Sequence, residues 1–322
     1  MSPTLPADCL PPAPVEELDV RSTDGIRLHV EIHGQPAAPT VVLAHGWTCS
    51  TAFWAPVIHQ LADRYRVVAY DQRGHGRSEI PPSRVRYSTR ALAEDLSAVL
   101  TRTVPAGERA LLVGHSMGGM TIMAAAGRPE VAERTAAALL VSTGPADLIA
   151  ELTILPGAVR SPGLRRFLHR RLLGSRLPLG PVGPASRAGL KYVTMGAASP
   201  TDRVQAAARI VHACPTAVRA NWAGVLERLD VRAGLARLTV PTAVMVGTED
   251  RMTPPVHAHR MVAALADPQG LLLLPGIGHM LPVERPAEVV AEIHRLAGAH
   301  LAVAHPPGVQ PSAASLERTA DA

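Results

Sequence analysis

Ser116 lies in the pentapeptide Gly114-His115-Ser116-Met117-Gly118, after the apolar run 110–113 and before the alanine-rich run 121–126. A strand-like segment before the serine and a helix-like segment after it describe a sharp strand-to-helix turn. Such a turn lifts the serine hydroxyl above the edge of a sheet. Glycines two positions away on either side fit the turn, because a side chain at 114 or 118 would meet the neighbouring backbone. A serine hydroxyl is a weak nucleophile at neutral pH and needs a base to take its proton. His279 is the candidate base. It follows the apolar run 270–275, with Gly276 and Gly278 before it, and imidazole titrates near neutrality. Asp250, just past the apolar run 242–247, is the candidate acid that holds the imidazole tautomer. Glu249 and Asp147 are weaker rivals for that role. The amide of Met117 points at any oxyanion formed on attack. A second amide is expected from Trp47, after His45-Gly46. His115, although beside the serine, is expected to pack rather than react.

These residues need a scaffold that brings strand ends together. The runs 40–46, 65–70, 109–115, 137–142, 242–247 and 270–276 are short and continuously apolar. That pattern suits strands buried on both faces of a parallel sheet. Helical patterns at 51–63, 88–102, 117–128, 255–266 and 286–300 alternate with them, so the fold class is α/β. Two alternating segments separated by Asp24-Gly25 predict an antiparallel hairpin ahead of the sheet. The expected organisation is a disordered lead-in at 1–15, a core at 16–142 and 236–302, a helical cap insertion at 143–235, and a disordered tail at 303–322.

Composition narrows the classes. The chain has 322 residues and a formal charge of +5, with 3% aromatic residues. That modest charge and scarcity of stacking rings argue against a nucleic-acid binder. Three scattered cysteines, Cys9, Cys49 and Cys214, suggest neither a disulfide framework nor a zinc knot. No secretory signal is recognised at the start, and a cytoplasmic location is expected. Neither a cofactor nor a metal is implied; His257 and His259 are expected on a helix or loop surface.

The motifs HGW (45–47), DQRGHGRS (71–78), GHSMGG (114–119), GTEDRMTP (247–254) and GIGHMLPVERP (276–286) occur in an order that resembles the α/β-hydrolase family. More narrowly, they resemble its branch of serine esterases, lipases and cofactor-free haloperoxidases. The resemblance covers about 17–142 and 236–300. It implies an eight-stranded, mostly parallel sheet with helices on both faces and a helical cap after the sixth strand. It maps Ser116, Asp250 and His279 to a catalytic triad, and Trp47 and Met117 to the oxyanion amides. Asp71, Arg73, Gly74, His75 and Gly76 match a structural loop. Relatives that open epoxides or remove halides carry aspartate where this chain has Ser116. The expected activity is therefore hydrolysis of small, medium or lipidic carboxylic esters. Acyl transfer or perhydrolysis with the same triad is the alternative, and a non-catalytic ligand-binding role the remaining one.

The cap is the part that the resemblance leaves uncovered. From Leu152 to Thr201 there is no Asp or Glu, while Arg160, Arg165, Arg166, Arg170, Arg171, Arg176, Arg187 and Lys191 fall there. Leu164, Phe167, Leu168 and Leu172 share one helical face. The expectation is that this face packs on the core and the arginines are solvated. The other reading is weak docking on an anionic membrane surface.

Overall fold

The computed structural model describes residues 5–155, 159 and 161–301. Eight strands form one sheet: β1 (Glu16–Arg21), β2 (Arg27–His33), β3 (Thr40–Ala44), β4 (Arg66–Tyr70), β5 (Ala110–His115), β6 (Thr135–Val141), β7 (Thr242–Gly247) and β8 (Pro268–Leu274). Their spatial order is β1-β2-β4-β3-β5-β6-β7-β8. The hairpin β1–β2 is antiparallel and β2 meets β4 antiparallel; every later pair is parallel.

Alternation along the central strands divides the interior into two layers. Val42, Val68, Leu112, Leu140 and Val244 face one layer, and Val41, Val67, Leu111, Leu139 and Ala243 face the other. Because β3 to β7 are buried on both faces, they read as continuous apolar runs. β8 departs from that expectation. It is the edge strand, and Leu272 and Leu273 are exposed. It also begins and ends two residues earlier than the apolar run suggests.

The lead-in departs as well. Ala7–Cys9 forms a turn of 3-10 helix with Cys9 buried. Asp8 pairs with Arg203 at 2.7 Å. That ion pair and the buried thiol offset the entropy of ordering the segment. The expected tail, 303–322, lies outside the described residues, as do 1–4 and Arg160.

Between β6 and β7 the described residues form helices and no strand: Leu148–Glu151, Pro162–Leu173, Pro184–Thr194, Thr201–Ala213, Thr216–Leu226 and Arg232–Leu235. An antiparallel bridge from Ala146 to Asp230, and a hydrogen bond from the Val231 amide to the Pro145 carbonyl at 2.8 Å, close the neck of this insertion. The helix Pro162–Leu173 contradicts the packing expected for it. Only His169 is buried, while Leu164, Phe167 and Leu172 are exposed. Helical periodicity set those side chains on one face, but the neighbouring elements do not cover it.

No helix among the described residues is long and apolar enough to cross a membrane.

Candidate active site

The parallel registers bring four strand ends to one side of the sheet. Ala44 at the end of β3 lies opposite Gly114 in β5, and Gly247 at the end of β7 lies opposite Leu274 at the end of β8. The loops that leave β3, β5, β7 and β8 therefore meet, and they carry Trp47, Ser116, Asp250 and His279. In parallel sheets the carboxyl ends of the strands are where ligands bind.

Ser116 occupies the turn between β5 and the helix Met117–Ala125 with φ 52° and ψ −118°. A non-glycine residue rarely takes this left-handed conformation, so its neighbours must hold it there. The Ser116 amide donates to the Val141 carbonyl at 2.9 Å. Its carbonyl accepts from the Thr143 hydroxyl at 2.7 Å and the Met120 amide at 3.1 Å. The two flanking glycines are steric requirements. A β-carbon at Gly114 would stand 2.6 Å from the Gly118 backbone, and one at Gly118 would drive into the Ala44 carbonyl. Met117 is the first residue of its helix, so its amide has no partner one turn back and is available to an anion.

Asp250 is buried at the end of β7. Its Oδ1 accepts from the Met252 and Thr253 amides, both at 2.9 Å, and its Oδ2 accepts from the Thr253 hydroxyl at 3.0 Å. His279 Nδ1 lies 2.9 Å from Oδ2 and 3.1 Å from Oδ1. Burial alone would raise the Asp250 carboxyl. The neighbouring His279 and the Thr253 hydrogen bonds outweigh it and hold the carboxyl below its ordinary range. The two rivals stand elsewhere: Glu249 accepts from the Ala197 amide at 2.8 Å, and Asp147 is largely exposed beside Arg232.

His279 is fixed through its backbone. The amides of His279 and Met280 both donate to the Thr194 carbonyl of the insertion, at 2.8 and 3.1 Å. Glu284 accepts from the Gly196 amide at 2.8 Å, the Ser199 hydroxyl at 2.6 Å and the Gly278 amide at 3.3 Å, tying the histidine loop to the same segment. His115 does pack beside the turn. Its Nε2 lies 2.8 Å from the His279 carbonyl, and the two rings are 4.9 Å apart. Burial, reinforced by His279, pushes His115 down to about 3, so it remains neutral at physiological pH.

Trp47 follows β3 and packs against the cluster of Tyr87, Leu92, Met117 and Trp222. Its indole donates to the Arg219 carbonyl at 3.0 Å. The loop is propped from below: Thr48 donates its amide to His75 Nε2 at 3.2 Å, and Asp71 accepts the amides of Thr51 and Arg77, both at 2.8 Å. Arg73 forms a buried pair with Asp95 at 2.6 Å. Asp71 and His75 thus hold backbone amides, and Arg73 the Asp95 carboxylate, beneath the site.

A cavity of about 450 Å³ opens over these loops, within the usual range for small-molecule sites. Ser116, His279, Trp47 and Thr48 form its floor. Leu148, Ile149, Leu173, Leu190, Val193 and Leu226 are among the apolar residues supplied by the insertion. Thr253, Thr194 and Glu284 are site-shaping residues that sequence reasoning missed. Thr253 had a signal, three residues after a candidate acid; the Thr194 carbonyl had none.

His257 contradicts the surface position expected for it. It is fully buried in the helix Pro255–Ala264, where Gly144 packs against its ring. Among the described residues, Glu17, His29 and Glu31 gather ligand-type atoms within 4.8 Å, but both Glu17 oxygens already hold Arg77, at 2.6 and 2.7 Å.

Comparison with known proteins agrees with this architecture. Residues 39–286 match the family model described as the alpha/beta hydrolase fold. Epoxide hydrolase A of Mycobacterium tuberculosis is 30% identical over 87% of this chain and 96% of its own length. The probable oxidoreductase EphD of the same organism is 35% identical over 48% of this chain, and the match spans a quarter of that protein's length. A thermophilic esterase from Thermogutta terrifontis superposes with a TM-score of 0.70 at 25% identity, covering 89% of this chain and all of the other. A bromoperoxidase from Bacillus anthracis shares the fold with a TM-score of 0.70 at 19% identity, over 88% of this chain and 100% of its own. The chain belongs to the α/β-hydrolase family.

Proposed function

We propose that this hydrolase cleaves carboxylic esters of small to medium or lipidic acyl groups through a covalent acyl-enzyme. Ser116 attacks the ester carbonyl while His279 takes its proton. Nδ1 of His279 is engaged by Asp250, so Nε2 is the nitrogen left for the serine. The amides of Trp47 and Met117 hold the oxyanion. His279 then protonates the leaving alcohol, and later activates the water that releases the acid. The observation that carries this reading is the buried Asp250–His279 pair, whose histidine lines one apolar cavity together with a strained Ser116.

The similarity to an epoxide hydrolase invites a different reading, which the chemistry at position 116 opposes. A carboxylate that opens an epoxide forms an ester that water can cleave. A serine hydroxyl would form an ether that water does not cleave under these conditions, and the enzyme would stop after one turnover. Acyl transfer to an alcohol or peroxide needs no other residues. The largely apolar lining, poor in groups that bind water, favours testing it with competing acceptors. We place cytoplasmic residence with the same proposal.

The test is hydrolysis of p-nitrophenyl esters graded by acyl length. Turnover is expected for short and medium chains. Ser116→Ala is expected to lose at least about a thousandfold in kcat. Hydrolysis by Ser116→Ala near the wild-type rate would remove Ser116 from the mechanism.

A further inference from the structure

The exposed apolar side chains of the insertion are not scattered. Leu164, Phe167 and Leu172 lie on the helix Pro162–Leu173, and Leu177 and Leu179 on the loop that follows; Phe167 is 52% and Leu177 74% exposed. Leu172, Leu177 and Leu179 also line the cavity that holds Ser116 and His279. Residues both exposed and cavity-lining form part of its rim, so these three leucines place exposed apolar surface at the mouth.

The loop is anchored in this exposed position. The buried Arg219 guanidinium donates to the Ser175 carbonyl at 3.1 Å and to the Leu177 carbonyl. Fraying therefore does not explain the patch. Five exposed large apolar side chains on one helix and the loop that follows it mark a surface that meets something apolar.

Charge selects the occupant. Arg166, Arg170, Arg171 and Arg176 are exposed on the same segment, and no acid occurs from 152 to 201. Arg171 sits 5.2 Å over the Phe167 ring, so cation and apolar ring share one face. The neighbouring acid Glu227 is neutralised by Arg170. Apolar side chains flanked by long arginines match the boundary between acyl chains and anionic headgroups, where guanidinium groups reach the phosphates while the ring and leucines enter the apolar layer.

We propose that this face of the insertion docks on an anionic lipid surface with the cavity mouth turned into it, so that the ester enters from the bilayer. The substrate half of this inference rests on the ester-hydrolase reading; the docking half does not.

The test is co-sedimentation of the full chain with phosphatidylcholine vesicles, with and without phosphatidylglycerol, at low salt where screening is weakest. Wild type and Ser116→Ala are both expected on the anionic vesicles and neither on the neutral ones. Combining Arg166→Gln, Arg171→Gln and Arg176→Gln is expected to weaken partitioning about a hundredfold, since each basic residue near such a surface contributes roughly fivefold. Leu164→Ser with Phe167→Ser is expected to abolish retention while p-nitrophenyl ester turnover in solution continues, because neither residue lines the cavity. Continued turnover also shows that these variants fold. No retention of wild type on anionic vesicles would overturn the proposal. Equal retention on neutral vesicles would overturn it too, as would self-association that Phe167→Ser abolishes in a protein that binds no vesicle. Retention without ester turnover would leave docking intact and sink the ester-hydrolase reading; turnover without retention would do the reverse.

Discussion

On the sheet side of the cavity, Ser116, Asp250 and His279 are buried, and each is held by several hydrogen bonds. On the opposite side, the helix Pro162–Leu173 buries one residue and the helix Pro184–Thr194 none. The floor tolerates no added atom: a β-carbon at Gly118 meets the Ala44 carbonyl. The roof has room, since one at Gly189 meets nothing within 4 Å. Reaction geometry needs fixed positions to within fractions of an ångström. A surface that served, as proposed, to admit varied acyl chains and meet a lipid layer would not. The contrast is what the proposed division, chemistry at the floor and selection at the roof, would require, and substitutions can break either half.

The largest effect is expected from His279→Ala, which removes the proposed base from the floor: a fall in kcat of about 10⁴ to 10⁶, read by steady-state ester hydrolysis. Retention of more than a tenth of the activity would detach His279 from the reaction. Asp250→Asn keeps the shape but loses the charge that orients Nδ1, and is expected to cost about 10⁴ in kcat with little change in KM. A change confined to KM would show that Asp250 serves binding.

Gly118→Ala tests the floor's packing without touching a reactive group. Overpacking against main chain typically costs about 1–3 kcal/mol. A clear fall in Tm is expected by calorimetry, together with lost labelling of Ser116. An unchanged Tm would mean that the turn has room it does not show.

Acid should loosen the floor through its buried histidines. Burial lowers His75 to about 4 and His115 to about 3. The unfolded chain takes up protons near pH 6.5 that the folded rings refuse. Their contribution is thus complete above about pH 6.5. It falls as pH drops towards the folded values, by about 1.4 kcal/mol per pH unit for each ring. Ring titration by NMR from pH 7 to 5 should show both histidines essentially neutral throughout, and protonation of either near pH 6.5 would contradict their buried, neutral state.

The smallest effect is expected on the roof. Gly189→Ala, inside a helix and facing the cavity, should leave Tm unchanged or slightly raised, since alanine favours helix by about 0.5–1 kcal/mol. It should shift the preferred ester length only a few-fold. A collapse of activity would mean that the roof is as tightly specified as the floor.

Legibility in the sequence divides along the same line. β3 to β7 are readable because strands buried on both faces are continuously apolar. β8 carries the same leucines yet lies at the edge, since composition cannot say which strand is last. Ser116 is readable through Gly114 and Gly118, whose type is forced by sterics. The Thr194 carbonyl that holds the His279 loop is invisible, because every residue has a carbonyl and the contact spans the insertion. Leu164 and Phe167 show their common face by periodicity, but whether a neighbour covers that face is decided by tertiary packing. His257 is buried by a helix-on-loop contact at Gly144 that no local pattern marks.

The claim that Ser116 is the nucleophile is tested most directly by a fluorophosphonate probe followed by peptide mapping. One adduct on the peptide carrying Ser116 is expected in the wild type, none in Ser116→Ala, and sharply slowed labelling in His279→Ala. Equal labelling of wild type and Ser116→Ala, or an adduct mapped to another residue, would contradict it.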